Sequence, residues 1–250
     1  MVDLMQYQQQ SLEIISKYTS FSGKKVLEIG GDMGGHVAIK LIELGAGDVW
    51  SINIDDTYFS RDIGNIHWRK VSAYQIEHHF ESNSFDIVLG IAVLEHIGDT
   101  QRLSRAIRGV IEPGGVVYLQ GGPFWTCCHG HHLVYFMDDR FYTFTGDNPI
   151  PDWLHLLQTE HEAVETLKDV GVLLSDVDAI VDQIYNGTHI NRQRYSQIKQ
   201  ALYNSDLNLY YVEEHIRKRP DESTLSRLTK RGWSMSEPFG VYSADFVFLP

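Results

Sequence analysis

Three histidines fall within four residues, His129-Gly130-His131-His132, directly after the stretch Gly122-Pro123-Phe124-Trp125-Thr126-Cys127-Cys128. Imidazole gains and loses a proton near neutral pH, so such a cluster suits a general base. His131 and His132 are favoured for that role, with His129 as the third candidate, against the plainer reading that each merely hydrogen-bonds a loop in place. The nearby Phe124, Trp125, Tyr135 and Phe136 could exclude water from the reaction, although side chains of this kind more often fill a core. A second group joins Glu28 to the glycine-rich run Gly30-Gly31-Asp32-Met33-Gly34-Gly35. Glycines there let backbone approach a ligand closely. Cys127 and Cys128 are adjacent, so a disulfide between them would be strained, and neither has a C-x-x-C partner to suggest structural zinc. No metal ligands are expected.

These residues need elements to place them. Leu4, Leu12, Ile15 and Tyr18 recur at helical spacing over residues 3–20. Lys24–Ile29 reads as a first strand ending in the glycine run, and Val37–Leu44 as the helix that follows. Further strands are expected at Val49–Ile54, Ile66–Val71, Phe85–Gly90 and Gly115–Gln120, with a helix over Thr100–Val110 and a closing strand over 239–249. Strands alternating with helices predict an α/β, doubly wound, mostly parallel seven-stranded sheet. Residues 1–122 and 233–250 are expected to form its core. Residues 123–232, an aromatic and histidine-rich loop followed by mainly helical sequence, are expected to form a cap inserted before the last strand.

Val26-Leu27-Glu28-Ile29-Gly30-Gly31-Asp32-Met33-Gly34 resembles the first motif of the class I S-adenosylmethionine-dependent methyltransferases. It lacks the G-x-G-x-x-G of a dehydrogenase. One departure is Asp32 in place of the family's middle glycine, with Gly31 one position earlier; either Asp32 takes an unusual backbone angle or the loop is shaped differently. Ser84-Phe85-Asp86-Ile87-Val88-Leu89-Gly90-Ile91-Ala92-Val93-Leu94-Glu95-His96-Ile97 is similar to the fourth motif, whose Leu-Glu-His-Ile opens the next helix. Ile111-Glu112-Pro113-Gly114-Gly115 resembles the turn into the fifth strand. The resemblance covers about residues 24–120. It implies S-adenosylmethionine as cofactor and S-adenosylhomocysteine as product. Glu28 would hold the methionine amino end, beside Gly30, Gly31, Asp32 and Gly34. Asn53 or Asp55, with Ile54 between them, would take the ribose; Ser72 and Ala73 would lie near the adenine, and Gly90, Ile91 and Ala92 at the fourth strand's end. Some small-molecule relatives bind a metal through Glu-x-x-Glu-His, but Ala92 replaces the first acid here. Glu95 and His96 are therefore read as capping and orienting a helix, the alternative being a three-ligand metal site with one of the downstream histidines.

Lys plus Arg number 21 against 33 Asp plus Glu, a net charge of −12. That balance argues against duplex nucleic acid and bulk anionic membrane as partners. The basic run within Ile216–Arg231 reads as a solvated helix face. No apolar run approaches the ~18 residues that crossing a bilayer requires. With no signal-peptide pattern and no disulfide framework, a cytoplasmic location is expected. The expected activity is methyl transfer to a hydroxyl of a small polar metabolite with a histidine base. N-methylation of a small amine and non-catalytic S-adenosylmethionine binding are the alternatives. Homodimer formation is left open.

Overall fold

The computed structural model describes residues 2–145 and 148–250. Its centre is a sheet built from β1 (Lys25–Ile29), β2 (Asp48–Asn53), β3 (Arg61–Ile63), β4 (Ile66–Lys70), β5 (Phe85–Gly90), β6 (Ile111–Gly121), β9 (Leu209–Ile216) and β10 (Val241–Phe248). The order is β3-β4-β2-β1-β5-β6-β10-β9. β4, β2, β1, β5 and β6 run parallel to their neighbours, whereas β10 is antiparallel to β6 and β3 to β4. Both faces of the parallel strands are covered, which is why β1 is buried at every residue after Lys25 and not at alternate ones.

The sheet has eight strands where seven were expected. The extra edge strand, β3, folds back on β4 through Gly64-Asn65, with Ile63 opposite Ile66 and Gly64 at φ 58°. That glycine–asparagine dipeptide is a hairpin signal. β3 is exposed at all three residues, so burial offered no pattern to reveal it. β9 likewise interrupts a stretch read as mainly helical.

The chain divides into two compact units. One comprises Met1–Gly121, Lys199–Glu213 and Ala244–Pro250; the other comprises Gly122–Ile198 and Glu214–Ser243. In the first, α1 (Gln6–Ser16) lays Leu12, Ile14 and Ile15 on a cluster with Val26, Val49, Ile87, Leu89 and Val247. α2 (His36–Glu43) adds Val37, Ala38 and Leu41 to it. A 3₁₀ turn (Ala73–Gln75) and α3 (Ile76–His79) precede β5, and α4 (Thr100–Val110) precedes β6. Asp99 caps α4 by accepting from Arg102 N at 2.9 Å. Leu94-Glu95-His96-Ile97 therefore does not open this helix. It forms a turn three residues short of it, and Glu95 and His96 do not cap it.

The second unit holds the hairpin β7 (Val134–Met137) and β8 (Arg140–Thr143). It also holds α5 (Leu154–Leu157), α6 (Glu160–Asp169), α7 (Leu174–Asn186), the start of α8 (Tyr195–Tyr203) and α9 (Glu222–Lys230). Thr159 and Glu162 form a reciprocal capping box on α6. Leu133, Leu154, Leu167, Val177, Ile180 and Ile184 make one core cluster, and Cys128, Trp153, Leu156, Leu157, Leu228 and Phe239 a second. Among the described residues, no helix is long and apolar enough to cross a membrane.

Candidate active site

Strand order reverses between β1 and β5, and ligands of open α/β sheets bind beyond the carboxyl ends of the strands at such a point. The glycine run leaves β1 there. Gly30 N and Gly31 N both donate to Ile52 O, at 2.8 and 3.1 Å. Left-handed φ values fall on Gly30 (77°) and Gly35 (65°), and Asp32 is not among the residues of positive φ. Asp32 therefore does not take the left-handed backbone angle. Its carboxylate accepts from His36 N at 3.1 Å and lies 2.8 Å from His36 Nδ1, closing the start of α2.

Beneath the loop, Glu28 is 4% exposed. Tyr58 donates its hydroxyl to Ser51 Oγ at 2.7 Å, and Ser51 donates to Glu28 Oε2 at 2.5 Å. Burial pushes the Glu28 carboxyl up to about 7, against the lowering effect of the Ser51 bond; the charge of Asp32 adds to the rise. A Cβ on Gly31 would lie 1.9 Å from Ser51 Oγ, 2.8 Å from Tyr58 Oη and 3.0 Å from Glu28 Oε2. Only glycine lets backbone pass over this carboxyl. Among the described residues Ser51 is the one hydrogen-bond donor to Glu28, so Oε1 remains for a cationic ligand.

At the end of β2, Asn53 is occupied at both ends of its amide. Nδ2 donates to Gly31 O at 2.8 Å, and Oδ1 accepts from Asp55 N at 3.0 Å. Ile54 and Asp55 are exposed. Thr57 donates to Asp55 from N at 2.8 Å and from its hydroxyl, which holds that carboxyl below its ordinary range. After β4, Ser72 caps the 3₁₀ turn by accepting from Tyr74 N at 3.3 Å, with Ala73 buried beside it. After β5, Gly90 packs against Val93 and Ile91 is partly buried. Ala92 sits at φ 54° with its N–H donated to Gln120 Oε1 at 2.6 Å. That angle is uncommon for a residue with a Cβ and marks a constrained turn. The ends of β1, β2, β4 and β5 thus gather every candidate cofactor residue on one unit.

The three histidines lie in the second unit and differ sharply. His131 is fully buried; Leu133 N donates to its Nδ1 at 3.1 Å, and burial pushes its pKa well below the ordinary value. A neutral ring with Nδ1 accepting must carry its proton on Nε2. Its Nδ1 lone pair is engaged by Leu133 N. His129 Nε2 lies 3.1 Å from Asp152 Oδ1, and burial again lowers its pKa. His132 is half-buried at φ 50°, its ring 4.4 Å from that of Phe144. Sequence reasoning missed a fourth histidine, His155, whose Nε2 lies 2.7 Å from Trp125 O and whose ring is 5.7 Å from that of His131. It also missed Ser51, Tyr58 and Gln120, of which only Gln120, a polar residue ending an apolar strand, carried a visible signal.

A family profile described as a methyltransferase domain matches residues 6–123, just under half of the chain. Among curated proteins, phosphoethanolamine N-methyltransferase 2 of Caenorhabditis elegans is 29% identical over 117 residues, 44% of this chain and 26% of that protein. The tRNA U34 carboxymethyltransferase of Idiomarina loihiensis is 28% identical over 107 residues, 40% of this chain and 33% of that protein. The match therefore spans a third or less of these relatives. Among solved structures, an S-adenosylmethionine dependent methyltransferase from Mesorhizobium loti superposes with a TM-score of 0.56 at 13% identity, over 96% of each chain. Residues 6–123 thus match a methyltransferase-domain profile, and the fold of the chain is similar to that of the Mesorhizobium loti S-adenosylmethionine dependent methyltransferase.

Proposed function

We propose that this chain transfers a methyl group from S-adenosylmethionine to a small polar acceptor and releases S-adenosylhomocysteine. The observation that carries this reading is the glycine loop drawn over a buried carboxyl, Glu28, whose Oε1 is left for a cation. Glu28 holds the ammonium of the methionine moiety through a charge-assisted bond. Gly30, Gly31, Asp32 and Gly34 present backbone to it. Asn53 is spent on the loop itself, so Asp55, beside Ile54, takes the ribose hydroxyls. Ser72, Ala73, Gly90, Ile91 and Ala92 border the adenosine. The chemistry supplied at this site is an electrophilic sulfonium methyl, and the protein's contribution is to hold it in line with an acceptor and exclude water.

For a hydroxyl acceptor a base is required; His131, His132 and His129 are the candidates, and His132 is favoured because Leu133 N occupies Nδ1 of His131 and His129 Nε2 lies on Asp152 Oδ1. An amine acceptor would need orientation more than a base, and the likeness to a phosphoethanolamine N-methyltransferase favours that second reading. The test offers labelled cofactor with small hydroxyl and amine acceptors, and with tRNA as comparator. Release of S-adenosylhomocysteine with a small acceptor supports the proposal; turnover with RNA alone overturns it. If the acceptor is a hydroxyl, His132→Asn lowers kcat by about 10²-fold or more with cofactor affinity unchanged. A mild loss points to the amine.

A further inference from the structure

We propose that Cys128, His129 and Asp152 form a three-ligand binding site for a zinc-class divalent cation. One donor atom from each of these residues lies within 4.8 Å of the others. His129 Nε2 is 3.1 Å from Asp152 Oδ1, close to the ~3.3 Å that separates two donors at about 2.0 Å on one tetrahedral ion.

Asp152 is 23 residues away in sequence, and the backbone brings it in. Trp153 N donates to Cys128 O at 2.9 Å, fastening the aspartate segment to the cysteine turn. That turn is fixed in its own right by Cys127 N on Phe124 O at 2.9 Å and Gly130 N on Cys127 O at 3.1 Å. Cys128 is 1% exposed and packs among Trp153, Leu156, Leu157, Leu228 and Phe239. An apolar wall on the sulfur side keeps water from competing for the ion. Lys218 pairs with Asp152 Oδ2 and orients the carboxylate, as partners behind a ligand commonly do. Binding releases the Cys128 proton and replaces the histidine–aspartate hydrogen bond. Mixed sulfur, nitrogen and oxygen donors select zinc or cobalt over magnesium or calcium.

The full chain, stripped with a chelator and kept reduced, would be titrated with Co²⁺. The expected result is one equivalent bound, with a near-ultraviolet thiolate charge-transfer band that Zn²⁺ displaces. Cys128→Ser abolishes the band, and Asp152→Asn, at a partly exposed position less costly to folding, weakens binding at least about tenfold. His78→Ala with His79→Ala, an exposed pair elsewhere, changes nothing. Absence of the band at saturating Co²⁺, or its persistence in Cys128→Ser, overturns the proposal.

Discussion

Glu28 couples cofactor binding to pH in a way that can be worked out in advance. Its carboxyl titrates at about 7 in the folded protein because it is buried beneath the glycine loop. If it holds the cofactor's ammonium, the bound state requires it ionised, and binding below pH 7 must expel a proton. The apparent Kd then scales as one plus ten to the power of seven minus pH. Affinity should fall about fifteenfold from pH 7 to pH 5.5, about 1.6 kcal/mol, with about 0.9 proton released per cofactor at pH 6. The cofactor's own ammonium, an α-amino group with an ordinary pKa near ~7.7, stays protonated over that window. Calorimetry in two buffers of different ionisation enthalpy reads both quantities. Glu28→Gln should weaken binding by about 1.5–3 kcal/mol, the range for a hydrogen bond to a charged group, and abolish the slope. The same variant should be more stable without cofactor. Because the folded pKa lies above the unfolded one, Glu28 favours folding below pH 4.5 and loses that contribution as pH rises through 7. At pH 8 the glutamine therefore gains up to about 3 kcal/mol. Flat affinity with no proton release, or a Glu28→Gln protein that keeps the slope, refutes the reasoning.

Gly31→Ala forces a methyl into Ser51, Tyr58 and Glu28 and should abolish cofactor binding while lowering Tm; unchanged affinity would contradict the loop geometry. Tyr118→Phe removes the hydroxyl that donates to the buried Asp245 and lies 2.8 Å from Ser11 Oγ, and should cost about 1.5–3 kcal/mol in urea unfolding. His155 titrates at about 4, below its unfolded value. The stability it contributes is therefore present above pH 6.5, and up to about 3 kcal/mol is lost as pH falls to 4. His155→Gln should flatten that acid limb, and an unaltered limb would show the burial cause to be wrong.

The parallel strands were legible because each is a short apolar run bounded by glycine or charge, and the sheet they form needs no long-range information to recognise. Glu28 and the glycine run were legible for the same reason: strand, acid and glycines are contiguous. What escaped detection is what the fold assembles from distant or exposed pieces. β3 has no buried face. Ser51 and Tyr58 look unremarkable until β2 lies beside β1 and brings them under Gly31. Position alone offers Asn53 or Asp55 for the ribose; that the Asn53 amide closes on Gly31 O is a contact that spacing does not reveal. The sequence favours His131 and His132 over His129 without separating the two. Burial and one backbone N–H separate His131 from His132, and both depend on tertiary packing.

The central claim is that the loop over Glu28 is a working S-adenosylmethionine site, and equilibrium titration of the purified chain with S-adenosylmethionine and S-adenosylhomocysteine tests it most directly. The account predicts saturable one-to-one binding of both, lost in a folded Gly31→Ala protein. No binding of either by the folded wild-type chain, or undiminished binding by Gly31→Ala, would contradict it.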